Sequence, residues 1–98
     1  MQGERPHYTK EEAGRIFRRA LKGGGSFTIS KHCKERMRER GIDINDLKAL
    51  ALCGVVYDPP EPHLRTGEWI YRIETPDRGL KVVFAIAGDV VRLITAEN

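Results

Sequence analysis

The apolar residues of this 98-residue chain change their spacing near Gly54, and this change limits the possible folds more than any other sequence feature. Before it, apolar side chains recur three or four positions apart, which is the repeat of an amphipathic helix. After it they alternate with polar side chains, as in strands with one buried face. A chain with helices first and strands after them is expected to form an α+β fold.

Capping signals divide the first half into three predicted helices. The first begins with a T-x-x-E capping box, in which Thr9 is the N-cap and Glu12 follows three residues later. The glycines at 23–25 cannot continue this helix and are expected to form a flexible joint. Residues 1–8 have no periodicity and are expected to form a loose arm. Two further helices are predicted at residues 31–40 and 44–53, after the N-caps Ser30 and Asp43 and before Gly41 and Gly54.

Four strands are predicted, one before the second helix and three in an antiparallel meander at the end of the chain. The stretch 58–62 cannot be a central strand, because its prolines donate no hydrogen bond to a neighbour. We therefore predict three helices packed on one face of a small, mainly antiparallel four-stranded sheet. The predicted strands are residues 26–29, 68–75, 80–87 and 89–95.

Alternation within these strands predicts two different sheet faces. The helix-covered face should carry Trp69, Tyr71, Ile73, Leu80, Val82, Phe84, Ile86, Val91 and Leu93. The opposite face should carry Glu68, Ile70, Arg72, Lys81, Val83, Ala85, Val90, Arg92 and Ile94, a mixture of charged and apolar side chains. Such a face can be bare, can bind a partner or can carry a shallow groove. It can also join two copies of the chain as a homodimer.

Length and composition predict a single domain. No cofactor is expected. We divide it into an arm and extra helix with a glycine linker, residues 1–25, and an α+β region, residues 26–98. No apolar run approaches the roughly 18 residues of a membrane span, and the start of the chain lacks the apolar region of a signal peptide. A cytoplasmic protein without membrane contact is therefore expected. Cys33 and Cys53 predict neither a disulfide framework nor a metal site.

The positive charge of the chain is concentrated in its helical half. Residues 1–48 hold 12 Lys and Arg against 7 Asp and Glu, a net charge of +5, whereas residues 49–98 hold 5 against 7, a net of −2. A basic half is the electrostatic signature of a nucleic-acid contact, and it is also common on ordinary solvated helices. Charge alone leaves both interpretations open.

The second predicted helix carries a stripe of three side chains with a specific chemical use. His32, Arg36 and Arg40 are spaced i, i+4 and i+8, so they form one row at the border of an apolar face made by Cys33 and Met37. RNA is cleaved without a metal when one group takes the proton of a 2′-hydroxyl and another stabilises the charge that develops on phosphorus.

In this interpretation the stripe supplies both groups. The positive end of the helix dipole and the nearby Arg36 favour an uncharged His32, which can act as the base. Arg36 and Arg40 offer planar forks of donors to phosphate oxygens. The structural alternative is that the arginines pair with a carboxylate across the core boundary, with Glu68, Glu74 and Asp58 as the candidates, and that His32 caps the helix or packs.

Other side chains are candidates for weaker roles. Arg72, Lys81 and Arg92 form a possible basic surface on the outer sheet face, whose ordinary interpretation is a solvated face. Lys31 points outward from the second helix and is a further candidate for contact with RNA phosphates. Cys33 is either a nucleophile or a buried, inert thiol.

One string of residues carries a family resemblance. Phe27-Thr-Ile-Ser30-x-His32-x-x-x-Arg36-Met37-x-x-Arg40-Gly41-Ile42, with Val55-Val-Tyr-Asp58 and a closing Val91-Arg-Leu-Ile-Thr95-Ala96, resembles the domain-of-unknown-function family 4258. That family is similar to the BrnT and RelE-like small toxins of bacterial toxin–antitoxin systems. The resemblance covers residues 26–96.

The resemblance implies a compact α+β fold of the RelE type, metal-free ribonuclease activity and a cognate antitoxin. By position it assigns the catalytic roles to His32, Arg36 and Arg40, and adds Arg92 and Thr95 of the last strand. Alternation places these last two on opposite faces of that strand unless a β-bulge intervenes. The sequence thus predicts a metal-independent ribonuclease-like protein or, alternatively, a non-catalytic RNA-binding or protein-interaction module.

Overall fold

The computed structural model, which describes residues 7–98, contains three helices and five strands. All three predicted helices are confirmed, and the sequence of helix, strand, two helices and a final meander is as expected. The elements are α1 (Lys10–Leu21), β1 (Ser26–Ile29), α2 (Lys31–Arg40), α3 (Ile44–Cys53), β2 (Glu61–Pro62), β3 (Trp69–Glu74), β4 (Lys81–Ala87) and β5 (Val90–Glu97).

Each helix begins at the N-cap that the sequence predicts. In the capping box of α1, the Thr9 hydroxyl accepts from the Glu12 backbone N–H at 3.1 Å, and the Glu12 carboxylate accepts from the Thr9 N–H at 2.8 Å. Asp43 makes the equivalent box at α3, and Ser30 caps α2. Gly41 ends α2 in the left-handed region, with φ of 68°, where a glycine has no steric cost.

The sheet has five strands of mixed direction, so the prediction of four mainly antiparallel strands was incomplete. The order is β1-β5-β4-β3-β2, and β1 lies parallel to β5 while the other pairs are antiparallel. The missed strand β2 has only two residues, Glu61 and Pro62, which pair with the start of β3. It lies at the sheet edge, where a proline is tolerated. This agrees with the prediction that residues 58–62 do not form a central strand.

The helices and one face of the sheet share a single apolar core. Phe17 of α1 is fully buried, and its ring centroid lies 4.9 Å from that of Phe84 in β4. The buried side chains alternate along β3 as expected for a sheet covered on one face. Along β4 they alternate except at Ala85, which is buried although it was predicted on the outer face. Trp69, Leu80 and Ile86 were predicted on this face and lie half-buried at its margin.

A β-bulge interrupts the pairing of β4 with β5. Phe84 of β4 pairs with Leu93, but the preceding residue Val83 pairs with Thr95. Ile94 is therefore the extra residue of the bulge. Such an insertion places every later side chain of the strand on the face opposite to the one that simple alternation predicts.

The bulge corrects the expectation that Arg92 and Thr95 lie on opposite faces. Arg92 is opposite Ala85 and Thr95 is opposite Val83. Residues 83 and 85 are two apart on β4 and share a face, so their partners on β5 share it too. Ala96 takes the inward position after the bulge and is fully buried.

The predicted loose arm, residues 1–8, falls partly outside the described residues, since the structure describes only residues 7 and 8 of it. These two residues are exposed and lie outside the helices and strands, and both contact β3. The ring centroid of His7 lies 4.5 Å from that of Trp69, and the Tyr8 backbone N–H donates to the Tyr71 hydroxyl at 3.0 Å. Within residues 7–98, none of the helices has the length and apolar character needed to cross a membrane.

Candidate functional site

Helix α2 is fixed to the sheet at both of its ends. The Ser30 backbone N–H donates to the Leu93 carbonyl at 3.0 Å, and the Ser30 hydroxyl donates to the Ile94 carbonyl at 3.1 Å. At the other end the Asn98 side chain donates to the Arg40 carbonyl at 2.9 Å. The first turn of α2 is thereby joined to the bulge of β5, which fixes the direction in which its side chains project.

The stripe on α2 lies where the sequence predicts it. Cys33 is fully buried and Met37 is 9% exposed, so this face of α2 belongs to the core. His32 and Arg40 are exposed, and Arg36 is half-buried. The three side chains therefore follow the border between core and solvent, where a ligand can reach them.

Arg36 has a donor that the protein does not use. Its Nε is buried without a hydrogen-bond partner, and its Nη1 lies 3.6 Å from the Glu39 carboxylate on the same helix. A buried donor without an acceptor costs about 1–3 kcal/mol. The side chain as a whole is 32% exposed, so an anionic ligand can approach the rest of the guanidinium but not the buried Nε.

The carboxylates that were the alternative partners of the arginines lie elsewhere. Glu68 binds Arg92, Glu74 lies 3.8 Å from Arg78, and Asp58 forms no ion pair among residues 7–98. Among residues 7–98 no charged side chain is buried, so no carboxylate holds the α2 stripe from within the core.

The three cations predicted on the outer sheet face are each paired with a glutamate. Arg92 hydrogen-bonds to Glu68, and this bond is the main reason why the pKa of Glu68 is below its usual value. Arg72 lies 2.5 Å from Glu61, and Lys81 lies 3.7 Å from Glu97. Paired in this way, the cations leave the face little positive potential for RNA phosphates.

Helix α2, unlike the outer sheet face, carries more positive than negative charge. Its ten residues include five Lys or Arg and two Glu, with His32 in addition. Lys31, its first residue, is exposed and has no ion-pair partner among residues 7–98. Thr95 follows the bulge of β5 and is half-buried. It lies on the outer face of the sheet, the face of Arg92. The uncompensated positive charge of this region therefore belongs to α2 rather than to the sheet.

Cys33 is the other predicted candidate on α2. It is fully buried, and burial raises the pKa of its thiol above the usual value. Because the thiolate is the nucleophile, a group in this environment is a poor one. The geometry therefore favours the interpretation of Cys33 as a core residue.

The Ser30→Ala variant should be less stable by about 1–2 kcal/mol, because it loses an N-cap and the bond to the Ile94 carbonyl. Urea denaturation measures this change. Ser26→Ala is the matched control, since Ser26 is exposed and makes no side-chain hydrogen bond among residues 7–98. Its effect should stay within about 0.5 kcal/mol. Equal losses in the two variants would contradict the role given to Ser30.

Sequence reasoning missed the glutamate partners of Arg72 and Lys81. Glu61 lies in the undetected strand β2, and Glu97 reaches Lys81 only through the register of β4 and β5. The alternating pattern was enough to predict the face but not the residue opposite each cation.

Fold and charge together define a small α+β protein with an exposed basic helix packed against β5, the strand between β1 and β4. A model of a domain of unknown function (DUF4258) matches residues 29–97, a range that includes α2, α3 and β2 to β5. The chain belongs to this family. Helix α1 lies outside the matched range. Searches of curated proteins and of solved structures each found no match.

Proposed function

We propose that this chain is a metal-independent ribonuclease-like protein of the BrnT and RelE type, and that it acts as the toxin of a toxin–antitoxin pair. The observation that supports this best is the α2 stripe. It combines an exposed histidine, His32, with Arg36, whose Nε lacks a partner, and the exposed Arg40.

The chemistry that suits these residues is attack by a ribose 2′-hydroxyl on the adjacent phosphorus. The bond from the 2′-oxygen to phosphorus forms while the bond from phosphorus to the 5′-oxygen breaks. His32 accepts the 2′-hydroxyl proton, and the 5′-oxygen takes a proton as it leaves. Arg36 and Arg40 stabilise the charge that develops on the non-bridging oxygens, since a guanidinium is always charged and offers parallel donors.

A cognate antitoxin would act by covering the same stripe. Helix α2 has an excess of three positive charges over its ten residues, so an acidic partner segment suits it. Such a partner would exclude RNA from His32 and Arg40 without any change in the fold.

The proposal is tested with purified protein and single-stranded RNA in the presence of EDTA. The wild type should cleave RNA, and His32→Ala should lower the rate by at least about 100-fold, within the range that general bases contribute. His63→Ala is the matched control, because His63 lies in the β2–β3 loop and should leave cleavage unchanged. No cleavage by the wild type, or equal cleavage by His32→Ala, would contradict the proposal.

One observation favours a second candidate, a non-catalytic RNA-binding module. Within residues 7–98, His32 makes no hydrogen bond to a group that would orient its ring, whereas catalytic histidines are commonly held by one. A binding module would retain RNA without product. Its affinity would fall steeply with salt, and each Lys or Arg substitution on α2 would weaken it slightly.

A further inference from the structure

A groove runs along α1, the helix that lies outside the family match. Its larger part has a volume of about 430 Å³ and is bounded by α1, the glycine linker and the β4–β5 turn. A second hollow of about 350 Å³ adjoins it. The two parts share Tyr8, Ile16 and Arg19, so they form one continuous depression.

The groove has a fixed cation in its wall. The Arg19 Nε donates to the Gly24 carbonyl at 3.1 Å, which orients the guanidinium. Its two terminal nitrogens have no hydrogen-bond partner among residues 7–98 and can donate to a ligand. Arg15 lines the adjoining hollow one turn earlier on the same helix face. Two guanidinium groups are therefore presented along one side of the groove.

The glycine linker approaches α1 closely enough to form the opposite wall. A Cβ added at Gly24 would lie 3.0 Å from the Arg19 Cγ, and one at Gly25 would lie 3.4 Å from the Ala20 Cα. A side chain at Gly24 would crowd that of Arg19, whereas one at Gly25 would make nearly ordinary contact with α1. The missing side chain at Gly24 thus leaves room for the Arg19 side chain beside the linker.

Apolar surface and two carboxylates complete the lining. One carboxylate is Glu12, which lines the adjoining hollow beside Arg15 and accepts the Thr9 N–H in the capping box. Tyr8 is 39% exposed, and its backbone is anchored by the hydrogen bond to Tyr71. Ile16 is half-buried and lines both parts of the groove. The exposed Asp89 of the β4–β5 turn lies at the other side and can accept hydrogen bonds from hydroxyl or amino groups.

We propose that this groove binds a nucleoside phosphate, either free or as one unit of an RNA strand. The phosphate lies on the Arg19 and Arg15 guanidiniums, the base packs against Tyr8 and Ile16, and Asp89 accepts from a ribose hydroxyl or a base amino group. The volume is within the roughly 300–1,000 Å³ of small-molecule sites. The combination of an arginine fork, an aromatic ring and a carboxylate matches the three parts of such a ligand better than it matches a simple anion.

The test is a titration of the ¹⁵N-labelled full chain, followed by NMR, with AMP, ribose 5-phosphate and a short oligoadenylate. AMP should shift the amide signals of Tyr8, Gly25 and Asp89 in a saturable way and should bind more tightly than ribose 5-phosphate. Arg19→Gln should weaken AMP binding by about tenfold or more, as expected for the loss of a charge-assisted hydrogen bond. Lys48→Gln, which removes an exposed charge of α3, should leave the affinity unchanged.

Each outcome decides the proposal. Tighter, Arg19-dependent binding of the oligoadenylate identifies an RNA strand as the source, and equal binding identifies a free nucleotide. No saturable shift with AMP, equal affinity for ribose 5-phosphate, or an unaffected Arg19→Gln variant overturns it. His32→Ala should leave AMP binding intact, so failure of the groove and failure of the α2 stripe are distinguished.

Discussion

Phe17→Ala should lower the free energy of unfolding by about 3–5 kcal/mol, the usual cost of removing a fully buried phenylalanine. Phe17 has no exposed surface, and its ring lies against that of Phe84 in the central strand β4. Domains of this size are stable by about 5–15 kcal/mol, so the variant should lose a large part of its stability. Urea denaturation followed by circular dichroism measures the loss.

This result would show that α1 belongs to the core although the family match begins after it. Phe27→Ala is the control, because Phe27 is an only partly buried phenylalanine in the edge strand β1. Its loss should be less than half that of Phe17→Ala. A loss below about 1 kcal/mol for Phe17→Ala would mean that α1 is a dispensable attachment, since core truncations of this kind cost several times more.

The second large effect is expected on catalysis. Arg36→Ala should lower the rate of RNA cleavage by about 100-fold or more, which is typical of removing one donor that stabilises a developing oxyanion. Arg36→Lys should recover only part of this rate, because lysine keeps the charge but lacks the planar fork. The measurement is the single-turnover cleavage rate at saturating RNA, so that a change in affinity does not enter.

Arg72→Ala is the matched control for Arg36→Ala. Its guanidinium is paired with Glu61 on the sheet face, so its removal should change the rate less than about threefold. Thermal unfolding of each variant shows whether the fold is kept. Equal losses at Arg36 and Arg72 would contradict the assignment of the site to α2.

The sequence was sufficient for features that depend on neighbouring residues along the chain. Helix starts at Thr9, Ser30 and Asp43 follow from capping bonds that span three residues, and the structure contains all three. The α2 stripe was predictable for the same reason. The geometry of a helix fixes which side of it His32 and Arg36 share once Cys33 and Met37 are in the core.

Features that depend on the partner strand were beyond the sequence. The two-residue strand β2 has no period to detect, and the parallel pairing of β1 with β5 is not encoded in either strand alone. The bulge at Ile94 reverses the simple alternation and brings Thr95 to the face of Arg92. The groove along α1 combines residues from the arm, the helix, the linker and a distant turn, so only the fold reveals it.

The most direct test of the proposed function is the chemistry of the new RNA ends formed in EDTA. Attack by the 2′-hydroxyl predicts a 2′,3′-cyclic phosphate on one product and a 5′-hydroxyl on the other, and an otherwise identical 2′-O-methyl RNA should stay intact. Mass spectrometry of the products distinguishes these ends from the alternatives. Products with 3′-hydroxyl and 5′-phosphate ends, or cleavage of the 2′-O-methyl RNA, would contradict the role given to His32, Arg36 and Arg40.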